Sequence, residues 1–271
     1  MPVESLQFNA VGSYPFPTTT TGAGTAMTVC LYNNEPALGI LTQTGYEDDI
    51  AYLAINRSDV LERGRVQVDD PNQRIMGMCY DRQTNRIWAS QGNYNPDNQG
   101  DRLVALDPDT GAEVAEIPVP LDSGFALAWN GIHFVRSTGN ELELIGVGGQ
   151  VLSTRALDIG ENCRGISASP WSYVATYGIN RPLVVIDLFG RPIAECMSVP
   201  GTAGGIQAVA FDNLTSRDVL AQEPSADGSF APEGSIHDPE TEWDPEPWRF
   251  RHRIYLANEA DQTIYFGYLY A

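Results

Sequence analysis

The sequence predicts an almost purely β protein assembled from repeated four-stranded units. The chain of 271 residues is rich in glycine (26) and proline (18). No long stretch repeats apolar residues at helical spacing, and short alternating apolar runs recur between polar turns. Since a chain of this length can bury one large core, we expect a single domain over residues 1–271.

The clearest unit extends from Gln73 to Pro120. The turn DPDTG at 107–111 carries the proline and glycine that suit a tight hairpin. GVGGQ at 146–150 and LFGRP at 188–192 have the same position in later units. The unit contains four alternating runs: Ile75–Tyr80, Arg86–Ser90, Arg102–Leu106 and Ala112–Pro118.

The spacing of the units indicates a β-propeller. We matched four points in the third run, and by subtraction their successive offsets are 51, 39 and 41 residues: Ile55, Leu106, Ile145 and Ile186. Four-stranded propeller blades repeat about every 40–45 residues. The sequence therefore predicts five blades, with a β-sandwich or a six-bladed propeller as alternatives. The predicted blades are approximately 25–70, 73–120, 121–160, 161–200 and 201–271.

The fifth unit has three strands, because a long insertion at 214–251 follows its first strand. The segment SLQFNAVG, residues 5–12, alternates in the manner of an outer strand. We expect it to pair beside Ile264–Tyr270, so that the two ends of the chain complete one blade and close the ring.

Three segments resemble a known class of repeats. They are TNRIWASQGN (84–93), DRLVALDPDTGAEVAEIPV (101–119) and HRIYLANEADQTIYF (252–266), with a weaker similarity at YVAT (173–176). They look like the Tyr-Val-Thr-Asn surface-layer repeats and the related NHL-like propellers. The resemblance covers about half of the chain and implies the fold alone, because such repeats occur in surface proteins, lyases, lactonases and scaffolds.

The net charge of the chain limits the classes of molecule that it is expected to bind. With 16 basic and 35 acidic residues the net charge is -19, which repels nucleic acid and anionic lipid. The N-terminus lacks the basic and apolar regions of a signal peptide, and no window approaches the roughly 20 apolar residues of a membrane span. We expect a protein of the cytoplasm or of a macromolecular particle, without nucleic-acid or membrane partners.

Catalytic and metal-binding patterns are weak. The four cysteines are far apart and lack zinc spacing, so we expect buried free thiols, no metal and no cofactor. Glycosidases use paired carboxylates for catalysis. The alternative function is therefore a carbohydrate-active hydrolase, or a propeller-type lactonase or lyase, with its site at the channel mouth. The candidate carboxylates are Glu47, Asp48, Asp49, Asp81, Asp101 and Asp122.

The insertion at 214–251 is the most distinctive segment. It contains five prolines and nine acidic residues, and connections of this length are commonly functional or disordered. Its aromatic residues can fold back on the propeller, dock on another chain, or form a carbohydrate platform in which Trp243 and Trp248 stack on sugar. The candidate docking residues are His237, Trp243, Asp244, Glu246, Trp248 and Phe250.

These features together predict a non-catalytic binding or assembly module. We expect a rigid acidic propeller that contacts other protein chains in a larger complex, for which a virus particle or a bacterial surface assembly is a suitable setting. Carbohydrate is a second possible ligand.

Overall fold

The structure is a computed structural model of the 271-residue chain. The residues that it describes are 4–17, 26–44, 47–55, 62–68, 73–93, 102–119, 126–137, 141–157, 163–169, 172–177, 182–201, 205–212, 214 and 253–270.

The described residues form strands and no helix, as the apolar alternation predicts. The N-terminal strand is β1 (Glu4–Pro15). Four groups of four consecutive strands follow. They are β2 (Met27–Tyr32), β3 (Glu35–Thr44), β4 (Glu47–Ala54), β5 (Glu62–Val68); β6 (Gln73–Asp81), β7 (Arg86–Asn93), β8 (Arg102–Leu106), β9 (Glu113–Pro118); β10 (Ala126–Trp129), β11 (Phe134–Ser137), β12 (Glu141–Ile145), β13 (Val151–Ala156); β14 (Gly165–Ala168), β15 (Ser172–Thr176), β16 (Leu183–Asp187), β17 (Pro192–Cys196). The last group is β18 (Ile206–Phe211), β19 (Ile254–Asn258) and β20 (Thr263–Tyr270).

Strand pairing gives three four-stranded sheets and one eight-stranded sheet. The four-stranded sheets are β2–β5, β6–β9 and β10–β13, all antiparallel and in chain order. The eight-stranded sheet contains β14–β17 and, beside it, β18–β20 with β1. Among the described strands, the hydrogen-bonded link between these two groups is a short parallel pairing of β1 with β17, at Glu4–Leu6 against Ala194–Cys196. The sequence did not predict this bridge.

The N-terminal strand pairs with the C-terminal strand, as the sequence predicts. β1 runs antiparallel to β20 from Gln7 opposite Tyr270 to Pro15 opposite Thr263. The strand is longer than the predicted segment 5–12, because Ser13–Pro15 continue the pairing with β20 and Glu4 pairs with Ala194 of β17. A bulge between Ala10 and Gly12 places Val11 outside the ladder, as expected of the extra residue of a bulge.

The first strands of the five groups contact one another in a closed circuit. β2 contacts β6, β6 contacts β10, β10 contacts β14, β14 contacts β18, and β18 contacts β2. Buried apolar clusters lie between successive groups all the way around, for example Tyr14, Leu38 and Tyr255 between the last group and the first. The architecture is therefore all-β and propeller-like.

The three predicted glycine turns lie between the third and fourth strands of their groups, as the sequence indicates. Gly111, Gly149 and Gly190 all have a positive φ, between 73° and 84°. The amide of Gly111 donates to the Asp107 carbonyl at 2.8 Å, and Gly149 and Gly190 make the equivalent bond at 2.9 and 3.0 Å. Each turn also approaches the outer strand of the preceding group.

Among the described residues, no helix has the length and apolar character needed to cross a membrane.

Candidate functional site

The six predicted docking residues lie outside the part of the chain that the structure describes. They belong to 215–252, a stretch that begins after Leu214 and ends before Arg253. The structure thus leaves the docking prediction untested, but it places both ends of the insertion.

The two ends of the insertion are held together at adjacent strand termini. Asp212 follows β18 and Arg253 precedes β19, and the Asp212 amide donates to the Arg253 carbonyl at 2.9 Å. The Asp212 side chain is fully buried, and its Oδ1 accepts from the Leu214 amide at 3.0 Å. The Phe211 amide donates to Ser167 Oγ at 3.0 Å, which fixes β18 against β14. The insertion therefore leaves the sheet from a rigid base.

Arg253 is a cationic group at this base. Its guanidinium carbon lies 5.4 Å from the centroid of the Phe266 ring, within cation–π range. Burial lowers the pKa of Arg253, but the electrostatic influence of the neighbouring Tyr255 and Tyr268 outweighs burial and raises the pKa overall. Burial, assisted by the Asp212 carboxylate, raises the pKa of Tyr255. Arg253 thus stays charged and Tyr255 stays neutral, so the pair does not exchange protons near neutral pH.

Sequence reasoning missed this base. Asp212 and Arg253 flank the insertion but are 41 positions apart by subtraction. The sequence did contain one signal that could have identified them: each of the two residues lies next to a strand of the interrupted fifth unit.

The propeller axis is closed by small and apolar residues. The cavity there has a volume of about 10 Å³, close to the minimum needed to hold a single water molecule. Two residues in or next to the first strand of each group line it: Ala26, Met27, Gly77, Met78, Ala126, Leu127, Gly165, Ile166, Ala208 and Val209. Among the described residues, the axis at this level has no room for a substrate and is lined by no ionisable side chain.

The candidate carboxylates in the described residues perform separate structural roles. Asp48 Oδ2 accepts from the Ile75 amide at 2.8 Å and so links the first two sheets. Asp49 pairs with Arg65 at 3.7 Å. Asp81 accepts from the residues of its own turn.

The other candidates lie outside the described residues. These are Asp101, Asp122 and the side chain of Glu47.

The four cysteines are buried free thiols, as predicted. Burial raises the pKa of Cys163 to about 12 and also raises that of Cys196, so these thiols are not nucleophiles at neutral pH. Within the described ranges, no three His, Cys, Asp or Glu residues form a group that could hold a metal ion.

The chain is similar to several solved structures. A glutaminyl cyclase from Myxococcus xanthus is similar with a TM-score of 0.63 at 10% identity, over 98% of this chain and 99% of that one. The Neurospora crassa Pan2 WD40 domain has a TM-score of 0.40 at 11% identity, over 90% of this chain and 62% of that one. The Dos1 propeller has a TM-score of 0.38 at 11% identity, over 66% and 49%.

No protein-family model matches the chain, and no curated protein matches it. The likeness to the Myxococcus enzyme shows a propeller fold, and at 10% identity it shows the fold alone.

Proposed function

We propose that the chain is a five-bladed β-propeller of the surface-layer or NHL-like type. Two observations on the described residues support five blades: the circuit of first strands has five members, and five buried clusters separate the strand groups. On this proposal the eight-stranded sheet is two blades, joined where the start of β1 reaches past its own blade to β17. An experimental structure with another number of radial sheets would contradict the proposal.

We propose further that the propeller is a non-catalytic binding or assembly module that contacts other protein chains. The observation that carries this proposal is the narrow, apolar axis at the level of the first strands, because a glycoside-cleaving propeller needs a pocket with two carboxylates roughly 5–10 Å apart. The axis instead contains glycine, alanine and larger aliphatic residues. The described carboxylates Asp48, Asp49 and Asp81 are engaged by backbone or arginine partners.

In this proposal the insertion is the docking element. Its rigid base, formed by Asp212 and Arg253, supports this role, because a fixed origin reduces the entropy lost when a long segment binds. Trp243 and Trp248 would be the anchors, since tryptophan is enriched among the residues that dominate binding energy. A virus particle or a bacterial surface assembly remains the proposed setting.

The test compares complexes formed by the full chain and by a variant without residues 222–250. Affinity-tagged protein is incubated with extract of its native source, and captured complexes are sized by gel filtration with light scattering. We expect the full chain to capture at least one discrete partner, and the deleted variant to lose it.

The double substitution of Trp243 and Trp248 by alanine should reproduce most of this loss. The matched control is Ile132→Ala, which truncates an exposed turn residue elsewhere. If the deleted variant still forms every complex, the insertion is not the docking element. Capture of no partner by the full chain would count against the assembly role itself.

A further inference from the structure

A turn with an apolar tip connects β16 and β17. It consists of Asp187, Leu188, Phe189, Gly190 and Arg191, and we call it the Phe189 turn. Leu188 is 47% exposed and Phe189 is 60% exposed. Turn tips are usually polar, and two adjacent large apolar side chains in water are costly. Such a tip suits a surface that a partner covers.

Hydrogen bonds make the turn rigid. The Asp187 amide donates to the Arg191 carbonyl at 2.9 Å, and the Gly190 amide donates to the Asp187 carbonyl at 3.0 Å. Asp187 Oδ1 also accepts from the amides of Phe189 and Arg191, at 2.8 and 2.9 Å. Because the tip is already ordered, binding there would lose little conformational entropy.

Two arginines lie beside the exposed ring. The guanidinium carbons of Arg155 and Arg191 lie 5.7 and 5.6 Å from the Phe189 centroid. Arg155 comes from β13 in the neighbouring group, and its Nη1 donates to the Phe189 carbonyl at 3.1 Å. The apolar tip and the two cations are therefore one surface, built from two strand groups.

The charge at this surface is opposite to that of the molecule. Arg191 is paired with Asp187 at 2.7 Å, whereas Arg155 has no ion pair within the described residues. The Phe189 turn with Arg155 thus carries one net positive charge on a chain whose net charge is -19. At about 0.15 M salt the Debye length is about 8 Å, so a bound carboxylate would interact mainly with these arginines and little with distant acidic residues.

We propose that the Phe189 turn binds an acidic segment of another protein chain. A large apolar side chain of that segment packs against Leu188 and Phe189, and a neighbouring carboxylate pairs with the Arg155 guanidinium. Aromatic residues and arginine are the types enriched at the energetic centres of interfaces, and the guanidinium geometry suits a carboxylate. The inference rests on the proposed function in one respect only, that the partner is a protein chain, and it uses no residue of the insertion.

The test is a fluorescence anisotropy titration of the full chain at physiological salt. The probe is a labelled synthetic peptide of glutamates around one tryptophan and one leucine. We expect binding to be weakened about tenfold by Phe189→Ala and about fivefold by Arg155→Gln. A peptide with glutamine for every glutamate, and one with alanine for both apolar residues, should bind at least tenfold more weakly.

Two variants are matched controls. Ile132→Ala truncates another exposed apolar turn residue, and Arg82→Gln removes one positive charge from another exposed turn. Both should bind the probe as the unaltered chain does, and circular dichroism should show that all variants fold.

Three results would overturn the proposal. The first is no binding of the peptide at about 1 mM, since a dissociation constant of about 1 mM corresponds to a binding free energy of only about 4 kcal/mol. The second is equal losses in Arg155→Gln and Arg82→Gln, which would mean unspecific charge attraction. The third is self-association of the full chain, seen by sedimentation, that Phe189→Ala abolishes, because the occupant would then be a second copy. Failure of this test leaves the assembly role standing, since partner capture through the insertion tests that role separately.

Discussion

Asp187 is the residue that determines the shape of the Phe189 turn. Burial by itself would raise the pKa of its carboxyl, but hydrogen bonds from Arg191 and Phe189 outweigh burial, so the pKa lies below its ordinary value of 3.8. A lowered pKa means that ionised Asp187 stabilises the fold above about pH 3.8, and that this contribution is lost as the pH falls through the lower pKa of the folded state.

The substitution Asp187→Asn tests this contribution. It keeps the Oδ1 acceptor and removes the charge that pairs with Arg191. At pH 7 we expect the melting temperature to fall by about 2–4 °C, as for a loss of about 1 kcal/mol in a domain of this size. Melting curves recorded from neutral pH downward should show the difference shrinking as the native carboxyl becomes protonated. A difference that is the same at every pH would contradict the role of the charge.

The same turn shows what sequence can reveal about single residues. LFGRP predicts a turn, because its glycine accepts a positive φ, and Gly190 indeed has a φ of 83°. The sequence could not indicate that Arg155, 34 positions earlier, lies against Phe189. That contact depends on how neighbouring sheets pack, and local alternation contains no information about it.

At the scale of the element, a bulge recurs where the third strand of a group meets the fourth. In the first four groups the register shifts at Leu53, Leu106, Ile145 and Ile186. The matched points of the sequence repeats coincide with the last three of these positions. In the first group the sequence match was Ile55, whereas the register shift lies at Leu53. Residues two apart lie on the same face of a strand, so the apolar pattern fits either choice, and the first offset becomes 53 by subtraction.

The first strands are elements in which side-chain size is limited by the axis. A Cβ added to Gly77 would lie 2.5 Å from the backbone nitrogen of Leu127 and 2.9 Å from the carbonyl carbon of Ala126. Both atoms belong to the backbone of β10 and cannot move independently of the strand. β6 and β10 therefore approach closely only because residue 77 has no side chain.

Gly77→Ala should lower the free energy of unfolding by about 1–3 kcal/mol, as overpacking of a core does. The melting temperature should fall by roughly 3–10 °C, which differential scanning calorimetry can measure. The control is Gly148→Ala, since the added Cβ there would meet only the side chain of Gln150. Equal stability of the two variants would mean that the strands around the axis adjust freely.

At the scale of the whole molecule, the last group differs from the others in how its outer strand is supplied. Gly111, Gly149 and Gly190 turn the chain from third to fourth strand within their groups, whereas the last group takes its fourth strand, β1, from the N-terminus. The sequence predicted this exchange, because one unit lacked a strand and one alternating segment had no unit. The parallel pairing with β17 could not be predicted, because only three residues of β1 form it and no turn sequence indicates that the two strands are neighbours.

Closure by β1 predicts that N-terminal truncation destabilises the entire ring. Removal of residues 1–12 deletes the pairing with β17, most of the pairing with β20, and the buried side chain of Leu6. Loss of one buried leucine already costs about 2–5 kcal/mol, and the freed edge of β20 becomes a template for aggregation. We expect a fall in melting temperature of roughly 10 °C or more, with aggregation visible by light scattering, whereas removal of residues 1–3 should leave both quantities unchanged. If the two truncated chains melt within about a degree of each other, the ring is held closed by sheet packing alone and the N-terminal strand is dispensable.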